Sequence, residues 1–481
     1  MTALAGPIIA ATILYIVLVI VVGIWSSRKI KDEAGLLVAG RSLGPILGGA
    51  TLMANQVSAG TTVGIVGFHY FSGFSYAWTW PLAWSGLVIA AIFVAPKMRG
   101  FAGITLSDFF AVRFNSSFAR VFSSVLIVIC YAVMLSAQYQ AGALLFGFLT
   151  SLAYGWALLL VASITFVYTV LGGMYSNAYL GLFKALILIA AYCCVIPFVI
   201  RNEGGLHSLA ATLYAVHPKL AGGWFDGRRL ISFALALGLG MAAAPYEISA
   251  FYSLTTKKAT QVAIGYSFLF QTFVAIGVLS CGLSARRYLP YLTNPDLATP
   301  ALALNILPRW MGALLLIAVV VTLTRAGGAL LLTSASAISH DIFLRFFRPD
   351  AAEKEKLVVH RVAIAVLSLL PIGIALGKFD LVNFVILFAV KLLAATFFVP
   401  VVLGVNWRRA TKMGAIAAMA GGFVGVLGWA YFAHPYFLGL EPAEAGILIS
   451  LILFVAGSLL TKPENEAALE PFFGPRQSLG T

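Results

Sequence analysis

Apolar residues fill this chain in runs of about 20, parted by short polar and basic stretches, over most of its 481 residues. A helix of that length crosses the ~30 Å hydrocarbon core of a bilayer. Only helices and closed barrels satisfy their backbone polar groups there. The pattern predicts thirteen membrane helices, at 7–26, 45–69, 74–95, 118–148, 151–171, 175–200, 229–253, 260–283, 312–338, 359–376, 381–404, 412–432 and 445–461. The first run, Ile8 to Trp25, has no basic segment before it and no small-residue cleavage site. It reads as a retained span rather than a signal peptide. No soluble domain is expected; the charged segment Asp341 to Arg361 is a loop and 462–481 a polar tail.

Two spans carry interruptions. The second holds the polar run Asn55-Gln56-Val57-Ser58, then Gly60 and Gly64, and the seventh holds Gly238, Gly240 and Pro245. Broken helices in lipid are tolerated only where the freed backbone groups line a cavity or are buried in protein. A pair of them five spans apart is the pattern of an inverted-repeat transporter with its site at the bilayer midplane. The alternative is ordinary close packing of helices through small residues.

Composition narrows this further. The chain is 61% hydrophobic and only 10% charged, with a mean hydropathy of +0.97. Cys130, Cys193, Cys194 and Cys281 lie in or beside apolar runs and read as packing residues. There is no nucleophile–base set, phosphate-cradling loop or metal-ligand cluster, so neither catalysis nor a cofactor is expected.

The net charge of +14 points to membrane topology rather than nucleic acid. Of the 31 Lys and Arg residues, twenty fall on one side of the thirteen spans, eight on the other, and three inside spans. The positive-inside rule then places the N-terminus outside and the C-terminus in the cytoplasm of a cell (inner) membrane. The three intramembrane cations are Lys184, Arg325 and Lys391. Arg325 stands thirteen residues from either end of its apolar stretch, roughly 20 Å from each surface. A charge there costs at least about 2.5–3.5 kcal/mol by insertion scales, so it requires a partner or a role. Lys184 lies nearer a span end and has the alternative of snorkelling to the cytoplasm.

Five motifs, in order, resemble the sodium:solute symporter family: Ala39-Gly40-Arg41-Ser42-Leu43-Gly44, Thr105-Leu106-Ser107-Asp108-Phe109-Phe110-Ala111-Val112-Arg113-Phe114, Tyr168-Thr169-Val170-Leu171-Gly172-Gly173-Met174, Asn294-Pro295-Asp296 and Ser336-Ala337-Ile338-Ser339-His340-Asp341. Thr105-x-x-Asp108 also reads as a capping box opening a short helix. The resemblance implies an all-α, leucine-transporter-type fold of two inverted five-helix repeats. It divides the single domain 1–481 into a leading helix (1–30), a first repeat (45–200), a second repeat (229–404), trailing helices (412–461) and a cytoplasmic tail (462–481).

The resemblance also implies a sodium site between the break in the first core helix and the eighth core helix. Carbonyls of Ala54 and Val57 would face a carbonyl of Thr322, with hydroxyls at 325 and 326. This chain has Arg325 and Ala326 there. Arginine offers five donors and no acceptor, so it cannot ligate a cation. A second implied cation site has Gly181 and Lys184 where oxygen ligands are expected, and Gly328 replaces a further polar position. A register shifted to bring Thr322 or Thr324 into the hydroxyl role remains open, as does a purely structural Arg325 paired with Glu247.

These residues lead to a secondary transporter or facilitator of a small organic solute, a carboxylate or amino-acid-like compound, working by alternating access. It is expected to be sodium-independent, with the Arg325 guanidinium bridging the Ala54 and Val57 carbonyls and protons as the candidate coupling ion. Ser58, Thr61, Tyr76 and Trp80 by resemblance, and Gln56, Gln138, Tyr246 and Lys391 by the cost of polarity within a span, are the candidate substrate contacts. The expected partners are the solute and membrane lipid. Two other readings stand: a conventional sodium symporter with a displaced site, and a transporter-fold sensor acting through a partner protein.

Overall fold

A computed structural model describes residues 5–377, 382–432 and 439–474. Among them, ten helical stretches are long and apolar enough to cross a membrane, besides the leading helix Ala5–Ser27. Two of the ten are too long for one crossing. Gly60–Phe101 turns at Gly73 (φ +65°), and the 50-residue Tyr154–Glu203 turns at Gly173 (φ +51°, ψ −142°). At Gly173 an added Cβ would lie 2.4 Å from the carbonyl oxygen of Leu36, so only glycine fits. Dividing both stretches at these glycines, and adding the leading helix, brings the crossings to thirteen.

After the leading helix come ten core helices. The first is broken: Pro45–Gln56, a gap at Val57 and Ser58, then Gly60–Ile65 and Val66–Ser72. The second occupies 73–101 and the third Ser117–Thr150. Tyr154–Glu203 supplies the fourth and fifth. The sixth is broken into Gly227–Ala242 and Pro245–Ser253. The seventh is Lys257–Tyr288, the eighth Arg309–Phe347, the ninth Glu353–Ala375 and the tenth runs from Val382 to Asn406. Lys412–Phe432 and Pro442–Leu460 pack on each other at the end.

Burial sorts these helices. In the most apolar window of the eighth core helix 87% of residues are buried, against 22% in the ninth, so the eighth is central and the ninth faces outward. Val366, Leu369 and Leu370 of the ninth are exposed and apolar, as a lipid-facing surface requires. The second and sixth core helices approach closely. A Cβ on Gly86 would lie 1.9 Å from the carbonyl of Gly238, and one on Gly238 2.8 Å from that of Ala83. The small residues near the break therefore bring two backbones together as well as loosening a helix.

At the basic end, short helices lie outside the spans. Leu106–Arg113 opens with the expected capping box: Thr105 Oγ1 accepts from Asp108 N, and Asp108 Oδ2 accepts from Thr105 N.

Candidate functional site: the broken helices and a buried lysine

The break in the first core helix frees both donors and acceptors, and nearly every one finds a partner close by. Ser58 N donates to Thr61 Oγ1 (3.2 Å), Ala59 N to Gln138 Oε1 (2.9 Å), and Gly60 N to Ser58 Oγ (3.2 Å). On the acceptor side stands Lys184. Its ammonium donates to Ala54 O at 2.9 Å and to Val57 O as well. Lys184 comes from the fifth core helix, 130 positions away from Ala54, and is fully buried at 0% exposure. The same two carbonyls are those the family resemblance assigns to a sodium ion.

The donor described at Ala54 and Val57 is Lys184, which corrects the expectation that it snorkels. The expectation that Arg325 bridges these carbonyls falls on a side chain outside the described residues, as do those of Thr324 and Ala326. Lys184 reaches from the fifth helix to the break and is fully buried there. Thr322 is buried, and its hydroxyl donates to Ala318 O within its own helix at 2.7 Å. At the second position, Gly328 N donates to the Tyr168 hydroxyl at 2.6 Å, and a Cβ on residue 328 would meet that oxygen at 2.1 Å. A tyrosine from the fourth core helix fills the space left by the missing polar side chain.

The second break, at Ala243 and Ala244, is tied to the first. Asn55 Nδ2 donates to Tyr246 O (3.4 Å), and Tyr246 N donates to the Tyr131 hydroxyl (2.9 Å). Glu247 is buried in the first turn of Pro245–Ser253, where the helix dipole favours a negative charge.

A cavity of about 60 Å³ lies between the two breaks. Of the expected substrate contacts, Gln56, Ser58, Thr61, Tyr76, Trp80 and Tyr246 line it. Gln138 does not; it is spent on the broken backbone at Ala59. Lys391 does not either. Its ammonium lies 3.1 Å from Glu441 Oε2, facing the last helix, while its neighbour Val390 lines the cavity. The ~100° between neighbouring residues on the tenth core helix separates the two directions.

The sequence reading missed three polar or aromatic wall residues: Thr79, Trp84 and Gln271. Gln271 Nε2 donates to Gln56 Oε1 at 2.6 Å and to Ser267 Oγ at 3.0 Å, joining the seventh core helix to the first. A glutamine inside the apolar span Lys257–Tyr288 carries the same signal of cost that singled out Gln56 and Gln138. The indole N–H groups of Trp80 and Trp84 have no acceptor among the described residues. The wall is otherwise apolar, with Ile65, Met134, Leu237 and Met241. Among the described residues the wall thus offers a small solute an apolar surface with two free indole donors and a few hydroxyl and amide groups.

Comparison with known proteins agrees with this geometry. Residues 36–422 match the model of the sodium:solute symporter family. The osmoregulated proline transporter OpuE of Bacillus subtilis is 26% identical over 478 residues, which cover 95% of this chain and 96% of the relative. The sodium/proline symporter of Escherichia coli is 26% identical over 490 residues, 98% and 96% of the two chains. Among solved structures, a Na+-coupled sialic acid symporter in its substrate-bound, outward-open state superposes with a TM-score of 0.81 at 17% identity, covering 95% of this chain and 98% of that one. Mhp1, a nucleobase-cation-symport-1 family transporter, gives 0.57 at 15% identity, covering 92% and 98%. The fold is therefore that of the leucine-transporter type, and the chain belongs to the sodium:solute symporter family, as a secondary solute transporter rather than an enzyme.

Proposed function

We propose that this transporter moves a small carboxylate or amino-acid-like solute by alternating access without sodium, with Lys184 as a built-in cation where relatives hold the ion. One observation carries the reading: the Lys184 ammonium on the carbonyls of Ala54 and Val57. Those carbonyls are the oxygen ligands a cation needs, and an ammonium already bonded to them leaves a sodium ion neither its ligands nor a tolerable neighbour. The ammonium bridges the broken first helix to the fifth, whereas the ion implied by the resemblance joins the first to the eighth.

The substrate class rests on the cavity and on the relatives. The indole N–H groups of Trp80 and Trp84, without an acceptor among the described residues, and the Gln56 amide N–H suit a guest rich in acceptors. The relatives named above are proline transporters. The orientation follows from charge: we assign the basic face, with Lys29, Arg41, Arg113 and Arg408, to the cytoplasm of a cell membrane.

Uptake into proteoliposomes tests both parts. Labelled L-proline and a panel of short carboxylates are offered with sodium, potassium or choline outside. Uptake of at least one of them, equal in the three salts, is expected. A rise of about tenfold with sodium, equivalent to about 1.4 kcal/mol of coupling, rejects sodium independence and favours a displaced ion site. Transport of neutral sugars alone rejects the substrate class.

A further inference from the structure

At the basic end of the molecule, five segments distant in sequence meet in one network of carboxylates and imidazoles. His340 Nδ1 lies 2.9 Å from Glu33 Oε1, and its Nε2 lies 3.2 Å from Asp108 Oδ2. His360 Nε2 lies 2.7 Å from the same Glu33 oxygen, and its Nδ1 2.5 Å from Ser339 Oγ. Arg120 Nη1 donates to Asp108 Oδ1 at 2.6 Å and to Asp341 Oδ1 at 3.1 Å, and Thr105 Oγ1 donates to Asp341 Oδ1 at 2.8 Å. Glu33 follows the leading helix, and Asp108 lies on Leu106–Arg113. Arg120 belongs to the third core helix, His340 and Asp341 to the eighth, and His360 to the ninth.

Counting hydrogens gives the protonation state this geometry requires. An ionised carboxylate only accepts, so an imidazole with a carboxylate at each nitrogen carries two hydrogens. That describes His340. For His360, the single hydroxyl hydrogen of Ser339 is already donated to Ala335 O at 2.5 Å. Ser339 Oγ must then accept from His360 Nδ1, while His360 Nε2 donates to Glu33. Two imidazoliums and Arg120 therefore face Glu33, Asp108 and Asp341. The neighbouring charges are engaged elsewhere. Glu353 accepts from the backbone N of Glu33 (3.0 Å) and pairs with Lys356 (2.8 Å). Arg41 donates to Ala102 O (2.5 Å), and Arg113 to Gly404 O (2.7 Å) and Trp407 O (3.0 Å).

Tyr246 lines the solute cavity and also a second, much smaller one of about 10 Å³ on the basic side. Leu37, Ile104 and Ser336 form part of the second wall. Each lies four positions from a member of the network: Glu33, Asp108 and His340 respectively. Ile104 N donates directly to Asp108 Oδ2 at 3.1 Å.

We propose that Glu33, Asp108, His340, Asp341 and His360 form a proton-operated gate at the cytoplasmic end of the molecule, closed while His340 carries two protons and released when it loses one. The proposal rests on the transporter reading and the orientation given above. The closed state binds this proton more tightly than an open state lacking the carboxylate contacts. Closure is therefore complete at low pH and lost as pH rises through the closed-state titration of His340. Glu33 and Asp108 do not share this window. Burial works to raise Glu33, but hydrogen bonds from His340 and His360 overcome it and hold the group at about 2. Its contribution is present above the ordinary carboxylate range and is lost only as pH falls towards that value. Asp108 is held lower still, by His340 and Arg120 against the effect of burial. The ligand atoms of Asp108, His340 and Asp341 lie within 4.8 Å of one another, a spacing that also suits a metal ion. Arg120 between the two aspartates already supplies the positive charge, which favours the proton.

The test is thiol labelling of Ser336→Cys in protein whose four native cysteines are alanine, reconstituted in nanodiscs. Labelling by a polar maleimide is divided at each pH by that of the unfolded protein, which removes the intrinsic reactivity. The ratio is expected to rise about fivefold or more between pH ~6 and ~8.5. Glu33→Gln weakens the hold on both histidines and should move the midpoint about one unit or more to lower pH. His340→Arg with His360→Arg keeps fixed cations and should abolish the pH step; where that pair fails to fold, His340→Gln alone should leave the ratio high throughout. A midpoint unmoved by Glu33→Gln, or a step that survives both histidine changes, overturns the gate. So does labelling that ignores pH but is blocked by micromolar zinc, which would make the cluster a metal site. The readout needs no transported compound, so failed uptake alone counts against the transporter reading and leaves this result standing.

Discussion

Lys184 and Lys391 are both lysines in apolar spans, and they solve the same problem in different ways. Lys391 meets a carboxylate, Glu441, at 3.1 Å. That carboxylate has further support from Ser232 Oγ at 3.1 Å and Arg229 Nε at 3.8 Å, and it opens the last helix. Lys184 instead meets two backbone carbonyls that exist only because the first core helix is broken. The first arrangement is a clasp between two helices, buffered by neighbours. The second makes the cation part of the broken helix itself. A buried charge in a span therefore identifies a functional site only when its partner is one the fold has opened on purpose.

Removing each ammonium separates the two roles most sharply. Lys184→Met keeps the length of the side chain and leaves the Ala54 and Val57 carbonyls without this donor. Each orphaned buried group costs about 1–3 kcal/mol. The expected result is a marked fall in the thermal unfolding midpoint together with loss of uptake. Unchanged stability would mean the ammonium is not what holds the break.

Lys391→Met should do less, about 1–2 kcal/mol, because Arg229 and Ser232 remain on Glu441. Adding Glu441→Gln should recover part of the loss, since the buried carboxylate is then neutral. Uptake should persist in both. If Lys391→Met abolished uptake while the protein stayed folded, the lysine would belong to the solute path and the contrast with Lys184 would fail.

Much of this architecture was legible in the sequence, for physical reasons. Apolar runs report bilayer thickness, so the spans could be drawn. Gly60, Gly238 and Pro245 with the polar run Asn55 to Ser58 betrayed both breaks, because polar backbone in lipid is costly wherever it occurs. Six of eight expected contacts reach the cavity. Cost identifies which residues need a partner and does not say which partner. Lys184 and Ala54 are 130 positions apart, and the rotation of the fifth core helix about its axis decides their meeting. The same rotational phase turns Val390 to the cavity and Lys391 away from it. Gln271 lies on the unbroken seventh helix, where no break marks which face meets the cavity.

The smallest expected effect concerns that residue. Gln271→Leu removes the bond to Gln56 and one polar group from the wall. It should raise the half-saturating concentration of a transported carboxylate about tenfold, near 1.4 kcal/mol, with little change in maximal rate or stability. An unchanged concentration dependence would place Gln271 outside the substrate's contacts.

Direct binding of radioactive sodium to the purified protein tests the central claim with the fewest assumptions. With Lys184 on the carbonyls of Ala54 and Val57, the wild-type protein should show no saturable sodium binding up to tens of millimolar, with or without L-proline. Saturable binding, displaced by unlabelled sodium but not by potassium, would contradict the account and restore a sodium-coupled mechanism.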